Sequence, residues 1–206
     1  MTSYGTGGSS LMMATDNSSL SDKSSLREQF KKLRSKMTEA EAEAFGQRAL
    51  KHFLRLRAGV QWLMYAPIQG EISTKALFDF ASATRGDKVF MPRMKGSDLS
   101  FHRLEKWDEL KEEGHFPQPP AYAQKWNPEQ GTVIIVPGLG FDYHGHRLGF
   151  GKGCYDRLLA EHPHFPRLAL AYDFQIVPSL GTPEPHDAQM DFVISPSAVW
   201  GTPRVL

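Results

Sequence analysis

The sequence predicts a single α/β domain built on a largely parallel sheet. Three observations point there. Short apolar runs at residues 60–65, 88–91, 132–136, 168–171 and 192–194 have the length of buried strands, and Gly or Pro punctuates several of their ends. Helical periodicity fills stretches between them, so strand and helix alternate as in βαβ units. The chain has 206 residues, 40% of them hydrophobic and 23% charged, which suits one domain with a core of its own.

Residues 1–22 are rich in Ser, Thr and Gly and carry little that packs, so they are expected to be a disordered tail ahead of a domain at 23–206. Leu26, Phe30, Leu33 and Met37 recur at spacings of four, three and four, the apolar stripe of a first helix. Thr38 and Glu41 make a capping box for a second. Its inner face continues through Ala42, Phe45, Ala49, Phe53 and Leu56 to a stop at Gly59. The strand at 60–65 runs into the loop from Ala66 to Glu71, and a helix is expected at 74–84, closed by Gly86. The strand at 88–91 should stop at Pro92, with a short strand at 99–104 after it. Residues 106–130 read as mostly irregular, broken by Pro117, Pro119, Pro120 and Pro128. TVIIV at 132–136 is the clearest core strand. It is followed by a glycine-rich loop at 137–152, a helix at 153–161 and the last two strands.

Composition excludes several classes. Lys plus Arg number 24 against 23 Asp plus Glu, a net charge of +1, which does not suggest a general nucleic-acid binder. From Lys23 to Arg57, however, ten basic residues face four acidic ones, a local net of +6. That stretch is either a solvated helix face or an attractor for a polyanionic small molecule. The single cysteine, Cys154, rules out an intrachain disulfide framework and fits a reducing compartment. No apolar run reaches the roughly 20 residues of a membrane helix, and the N-terminus lacks the basic start and apolar stretch of a secretory signal.

Chemistry concentrates in residues 136–157, VPGLGFDYHGHRLGFGKGCYDR, between the best strand and a helix. Ligands of open α/β sheets bind beyond the carboxyl ends of strands. Gly149, Gly151 and Gly153 alternate there, which lets backbone N–H groups approach an anion, and the helix start adds its dipole. Arg147 and Lys152 add full positive charge, and Asp156 sits in the first helical turn, where a carboxylate can hold a magnesium ion on phosphates. Standard phosphate motifs are absent. Lys152 precedes Gly153 rather than Ser or Thr, His146 stands where a P-loop has its leading Gly, and the glycine spacing misses the dinucleotide fingerprint. Physics alone leaves an anion site or a merely flexible turn, and Asp156 has a second explanation in the helix dipole. His144 with His146, and His162 with His164, lack a third ligand at zinc spacing and are read as loop residues. Cys154 has no identifiable base and is read as a small packed residue rather than a nucleophile.

The run VPGLGFD followed by G-x-RLG-x-GKG-x-YD closely resembles the signature of 5-formyltetrahydrofolate cyclo-ligases, also called methenyltetrahydrofolate synthetases. Shorter elements fall in the family's order on both sides: Lys23-x-x-Leu26-Arg27, Tyr65 to Thr74 with Glu71-Ile72, Met91-Pro92-Arg93, Phe116-Pro117-Gln118-Pro119, and His186-Asp187 with Gln189-Met190-Asp191. The resemblance covers roughly residues 23–195. One departure stands out: the family usually has two tyrosines before the aspartate, and this chain has Cys154 then Tyr155.

The resemblance implies a single three-layer α/β/α domain, similar to the sugar-phosphate isomerase and CoA-transferase-like fold. It implies ATP-dependent, Mg²⁺-dependent conversion of 5-formyltetrahydrofolate to 5,10-methenyltetrahydrofolate. A cytoplasmic protein without nucleic-acid or membrane partners is expected, its oligomeric state left open by the sequence with a monomer favoured. By the same resemblance, Lys23, Arg27 and the run Arg147, Leu148, Gly149, Phe150, Gly151, Lys152, Gly153, Cys154 and Tyr155 would bind ATP. Arg147 and Lys152 would be catalytic. Ala66, Glu71 and the run from Phe150 to Cys154 would bind the folate, and Asp156 and Asp191 would hold Mg²⁺. Each has a plainer alternative: Lys23 and Arg27 as exposed helix charges, Glu71 as an ordinary loop residue, Asp191 as a strand-edge charge. Two other functions compete at this level. One is an ATP-independent sugar-phosphate isomerase or acyl-CoA transferase on a related scaffold; the other is a nucleotide-binding module without turnover.

Overall fold

The computed structural model describes residues 23–53, 61–96, 98–184 and 187–201. The expected tail at 1–22, the stop of the second helix at Gly59, and His186 lie outside them.

The first helix, α1 (Lys23–Arg34), and the second, α2 (Glu39–Phe53), are divided at Thr38 by the expected capping box. The Thr38 backbone N–H donates to Glu41 Oε2 at 2.8 Å, and the Glu41 N–H donates to Thr38 Oγ1 at 3.3 Å. Strand β1 (Gln61–Leu63) follows, then α3 (Lys75–Ala83) and β2 (Lys88–Lys95). β2 runs through Pro92 instead of stopping there. Met64 N–H donates to Phe90 O, so Pro92, two residues on, turns its missing N–H toward the side where β1 has already ended. The ladder to β1 goes no further, and the strand continues, paired with β3 (Asp98–Arg103). In the region expected to be irregular, a small hairpin forms from β4 (Lys111–Glu113) and β5 (Phe116–Gln118).

Strand β6 (Thr132–Val136) is buried along its whole length. Each of its Val and Ile side chains stabilises the fold by about 1.5–3 kcal/mol, enough to fix it at the sheet's centre. The glycine-rich segment is more ordered than a loop. It forms the hairpin β7 (Gly140–Asp142) and β8 (Arg147–Leu148). Helix α4 (Cys154–Glu161), β9 (Arg167–Leu170), β10 (Ile176–Val177), β11 (Phe192–Ile194) and the edge strand β12 (Val199–Trp200) complete the described chain.

The main sheet has seven strands in the order β12-β11-β9-β6-β1-β2-β3. It is parallel from β11 to β2 and antiparallel only at its two edges. Strand alternation sends Trp62, Met64, Val133 and Ile135 to one face, where Phe53 of α2 and Leu77 and Phe78 of α3 cover them. Leu63, Ile134, Val136 and Ala169 point to the other, under Leu158 and Leu159 of α4. The three α/β/α layers follow from that alternation. Helix α1 belongs to neither layer. Its Phe30 packs with Leu139, Leu148 and Leu180, against the small sheet β10-β7-β8. Gly140 makes this possible, because a Cβ there would strike the Phe30 ring.

Candidate active site at the β1–β6 switch point

The chain leaves β1 toward β2 on one side, while β6, β9 and β11 lie on the other. Strand order therefore reverses between β1 and β6. The loops leaving their carboxyl ends diverge into a crevice, the usual ligand site of such sheets. One loop carries Ala66 and Glu71; the other is the glycine-rich segment.

The loop after β1 is tightly tied. Tyr65 donates its phenol hydrogen to Ile72 O at 2.8 Å, and Thr74 Oγ1 donates to Tyr65 O at 2.9 Å. Gln69 adopts a left-handed φ of 46° and Gly70 one of 72°. Such a conformation in a non-glycine residue persists only where its surroundings hold it. Here Arg34 Nε donates to Gln69 O at 3.0 Å and the Tyr172 phenol donates to Gly70 O at 2.9 Å. The turn directs the Glu71 carboxylate inward, where it is 7% exposed. Its Oε2 accepts the Ile68 N–H at 3.1 Å and its Oε1 accepts Arg34 Nη1 at 3.2 Å. Burial raises the Glu71 carboxyl to about 7, against the opposing pull of Arg34 and the Ile68 N–H. Ala66 is buried at the start of the loop. Glu71 also borders a cleft of about 490 Å³ with Met37, Ile68, Trp107, Leu110 and Pro117 among its walls.

In the glycine-rich segment, Asp142 organises the turn. Its Oδ1 accepts the N–H groups of His144 and His146 at 3.0 and 2.9 Å, and its Oδ2 lies 3.0 Å from His146 Nδ1. That arrangement gives His146 a structural partner. Gln175 supports the start of the segment, donating to Gly138 O and Leu139 O at 3.2 and 2.8 Å. Leu148 is buried in the hairpin. Arg147 reaches across to Asp156 in the first turn of α4, pairing Nη2 with Oδ1, and its Nη1 donates to Pro137 O at 3.3 Å. Its Nε is buried with no hydrogen-bond partner among the described residues. A buried orphan donor is uncommon and suits a site that receives an anion. A Cβ on Gly149 would collide with the same guanidinium.

Beyond Gly149 the chain faces solvent. Phe150 is 39% exposed, Lys152 and Gly151 are exposed, and Gly153 caps α4 in a left-handed conformation with φ 64°. Cys154 opens the helix, its Sγ 3.7 Å from Lys152 O and 3.6 Å from Arg157 Nη2. Tyr155 turns inward, edge-on to Phe101 at 6.4 Å, and burial pushes its phenol up.

Helix α1 lies across both loops. Arg27 Nε donates to Gly149 O at 3.0 Å. Arg34, seven residues on and so on the same face, is 1% exposed. It binds Gln69 O and Glu71, approaches Gly138 O at 3.5 Å, and sits 5.2 Å from the centre of the Phe150 ring. Lys23, at the helix start, is held 3.1 Å from both Glu184 and Asp187. Burial draws its ammonium down, but the bonds and charges of Asp187 and Glu184 outweigh this and raise it.

The crevice thus brings together Ala66, Glu71, Arg27 and the run from Arg147 to Asp156. Asp191 stands apart. It is 4% exposed at the head of β11, and its Oδ2 accepts the Arg167 N–H at 2.8 Å. Among the described residues no group of three or more His, Cys, Asp or Glu is arranged to hold a metal. Asp156 is a single carboxylate, which suits Mg²⁺ when phosphates and water supply the other oxygens. Three residues here have no motif to announce them, Arg34, Tyr172 and Gln175, while Asp142 ends the VPGLGFD run. Arg34 left one trace. It lies four residues after Phe30, on the apolar stripe rather than the solvated face.

Comparison with known proteins agrees with the geometry. The model of the 5-formyltetrahydrofolate cyclo-ligase family matches residues 19–196. A 5-formyltetrahydrofolate cyclo-ligase of Mycoplasma pneumoniae is 26% identical over 180 residues, 84% of this chain and 98% of its own. A probable 5-formyltetrahydrofolate cyclo-ligase of Caenorhabditis elegans is 28% identical over 190 residues, 84% of this chain and 91% of its own. The solved structure of an Aquifex aeolicus 5,10-methenyltetrahydrofolate synthetase superposes with a TM-score of 0.74 at 28% identity, covering 89% of this chain and 95% of that one. With the signature motif, the crevice and the match in agreement over nearly the whole domain, this chain belongs to the 5-formyltetrahydrofolate cyclo-ligase family.

Proposed function

We propose that the β1–β6 crevice is where this cyclo-ligase converts 5-formyltetrahydrofolate to 5,10-methenyltetrahydrofolate with ATP and Mg²⁺. An amide oxygen is a poor leaving group. The formyl oxygen attacks the γ-phosphorus and ADP departs, leaving a phosphorylated imidate. N10 then attacks the activated carbon and loses its proton, and the former formyl oxygen leaves as phosphate. The work of the protein is to align oxygen with phosphorus and to neutralise charge spreading over the phosphoryl group.

The observation that carries this reading is that one helix joins both loops: Arg27 on Gly149 and Arg34 on Glu71. On the nucleotide side, Arg27, Lys23, the glycine backbone and the N-terminus of α4 take the phosphates. Arg147 and Lys152 face the transferring group. Arg147 would pass from Asp156 to phosphate, and Asp156 would be the carboxylate that holds Mg²⁺, so neither charge would be left alone. Bound there, Mg²⁺ withdraws charge from the phosphate oxygens. On the folate side, Glu71 accepts the donor edge of the pterin beside Ala66, and Phe150 supplies an aromatic face that Cys154 lacks. The placement of Asp191, against the Arg167 backbone, supports a structural role for it, and the metal reading rests on Asp156.

Family membership sets aside the isomerase, transferase and non-catalytic readings. ATP and reduced folates are abundant in the cytoplasm, and we take the chain to act there as a monomer with small-molecule partners. Purified protein given 5-formyltetrahydrofolate, ATP and Mg²⁺ forms the methenyl chromophore and ADP in equal amounts. Chromophore formed at the same rate without ATP overturns the reading.

A further inference from the structure

We propose that Arg34 is a positioning residue for the folate: from beneath the crevice it holds the Glu71 carboxylate toward the substrate's donor edge, and it links that carboxylate to Phe150 on the nucleotide loop. The inference rests on Glu71 being the folate-binding carboxylate.

The geometry is specific. Arg34 directs its donors to three acceptors on two segments: Gln69 O at 3.0 Å, Glu71 Oε1 at 3.2 Å and Gly138 O at 3.5 Å. Gln69 and Glu71 belong to the loop after β1, and Gly138 follows β6. One planar guanidinium therefore fixes the two lips of the crevice relative to each other. Lysine has no such fork. The guanidinium face also lies 5.2 Å from the Phe150 ring centre, a cation–π contact. An ionised carboxylate offers about four acceptor positions. Arg34 and the Ile68 N–H take two of them. Two remain, matching the paired N–H donors at a pterin's amidine edge.

Charge supports the same role. The titratable groups around Glu71 are Arg34 from α1, Tyr65 at the end of β1, Tyr155 from α4 and Tyr172 after β9. Burial pushes all three phenols up, Tyr172 to about 12, so they are neutral near pH 7. Among the described residues, Arg34 is the cation that opposes the protonation of Glu71. Burial has already brought that carboxyl to about 7. Acidification through this value adds a proton, and a protonated carboxyl cannot accept from both pterin donors. Folate affinity therefore falls as pH drops through about 7, and losing Arg34 moves that fall to higher pH.

The test compares wild type with Arg34→Gln, Arg34→Lys, Glu71→Gln and the double variant, from pH 6 to 9. It reads KM for folate and for ATP, melting temperature, and direct binding of 5-formyltetrahydrofolate by calorimetry. Arg34→Gln should raise the folate KM about tenfold at pH 7.5, with the ATP KM changed less than about threefold, on the scale of a charge-assisted bond. Its affinity loss should begin at higher pH than in wild type. Arg34→Lys should recover part of the affinity and most of the pH profile. Glu71→Gln should flatten the profile, and adding Arg34→Gln to it should cost little more. A folded Arg34→Gln protein with wild-type folate affinity and pH profile overturns the proposal. So does full additivity in the double variant, or equal loss for folate and ATP with a lowered melting temperature in both Arg34 variants. Failure of the wild type to form methenyl product removes the assigned activity instead. The calorimetric comparison still decides the role of Arg34, and absence of wild-type folate binding counts against it.

Discussion

The two halves of the crevice hold their charges differently, although α1 serves both. On the folate side, Arg34 and Glu71 are 1% and 7% exposed and bonded to fixed backbone. Removing one partner of a buried pair costs about 3–5 kcal/mol, because the other stays buried and uncompensated. On the nucleotide side, the Lys23 pairs are partly exposed, Arg147 and Asp156 are each other's partner, and Lys152 and Phe150 face solvent. The partly exposed Lys23 pairs are worth about 0–1 kcal/mol and exchange cheaply, whereas the Arg147 side chain is nearly buried and its pair opens toward solvent only at Asp156. Under the proposed function, one half is a preformed recognition surface; in the other, Lys23 and Arg147 are paired with protein carboxylates whose places phosphate and metal would take. The proposed function puts folate specificity with the first and turnover with the second.

The sharpest way to break this contrast is at Asp156. If its carboxylate trades Arg147 for Mg²⁺, Asp156→Ala should lower Mg²⁺-dependent turnover by at least about tenfold. The folate affinity should stay near wild type. A residue acting only on the helix dipole would cost about 0.3–1 kcal/mol of stability instead. Steady-state assays at saturating Mg²⁺ decide, and turnover close to wild type excludes the ligand role.

A smaller effect is expected from Lys23→Ala combined with Arg27→Ala. The ATP KM should rise about fivefold to tenfold through loss of charge-assisted bonds, and the folate KM much less. Both charges lie outside the apolar stripe, which by itself predicts no consequence for melting. The Arg27 bond to Gly149 O changes that expectation: stability should also fall by about 0.5–1.5 kcal/mol. An unchanged ATP KM would make this basic face mere surface.

The smallest expected change has the opposite sign. Glu184 and Asp187 occupy the Lys23 ammonium. Replacing them with Gln and Asn should release it and lower the ATP KM about twofold to threefold at low salt, with the difference fading at high salt. A raised KM would show that these carboxylates order the loop rather than compete with phosphate.

How legible all this was depended on range along the chain. The capping box at Thr38, the TVIIV strand and the helix after Gly153 are set by neighbouring residues, and each was readable. Pro92 reads locally as a strand stop, while its tolerance depends on the ladder to β1 ending beside it, a fact of the sheet and not of the local sequence. The hairpin at 140–148 was taken for a loop because Asp142, not a strand-like run, closes its turn. The motif drew attention to the run from Arg147 to Asp156 because its residues are consecutive. Arg34 and Gln175 escaped because their partners lie in distant segments, at Glu71 and Gly138.

The Phe30 ring resting on Gly140 has a consequence for how the protein comes into being. Helix α1 leaves the ribosome first among the described elements, yet its docking surface is the hairpin and β10. Arg27 waits for a partner 122 residues downstream, a delay of roughly 6–25 s at about 5–20 residues per second. During that interval the apolar stripe of α1 has nothing to cover it, and the nascent chain is exposed to chaperones and to its own neighbours. The crevice therefore closes late in synthesis, and a chain truncated before Leu139 would present α1 as an unsheltered hydrophobic helix.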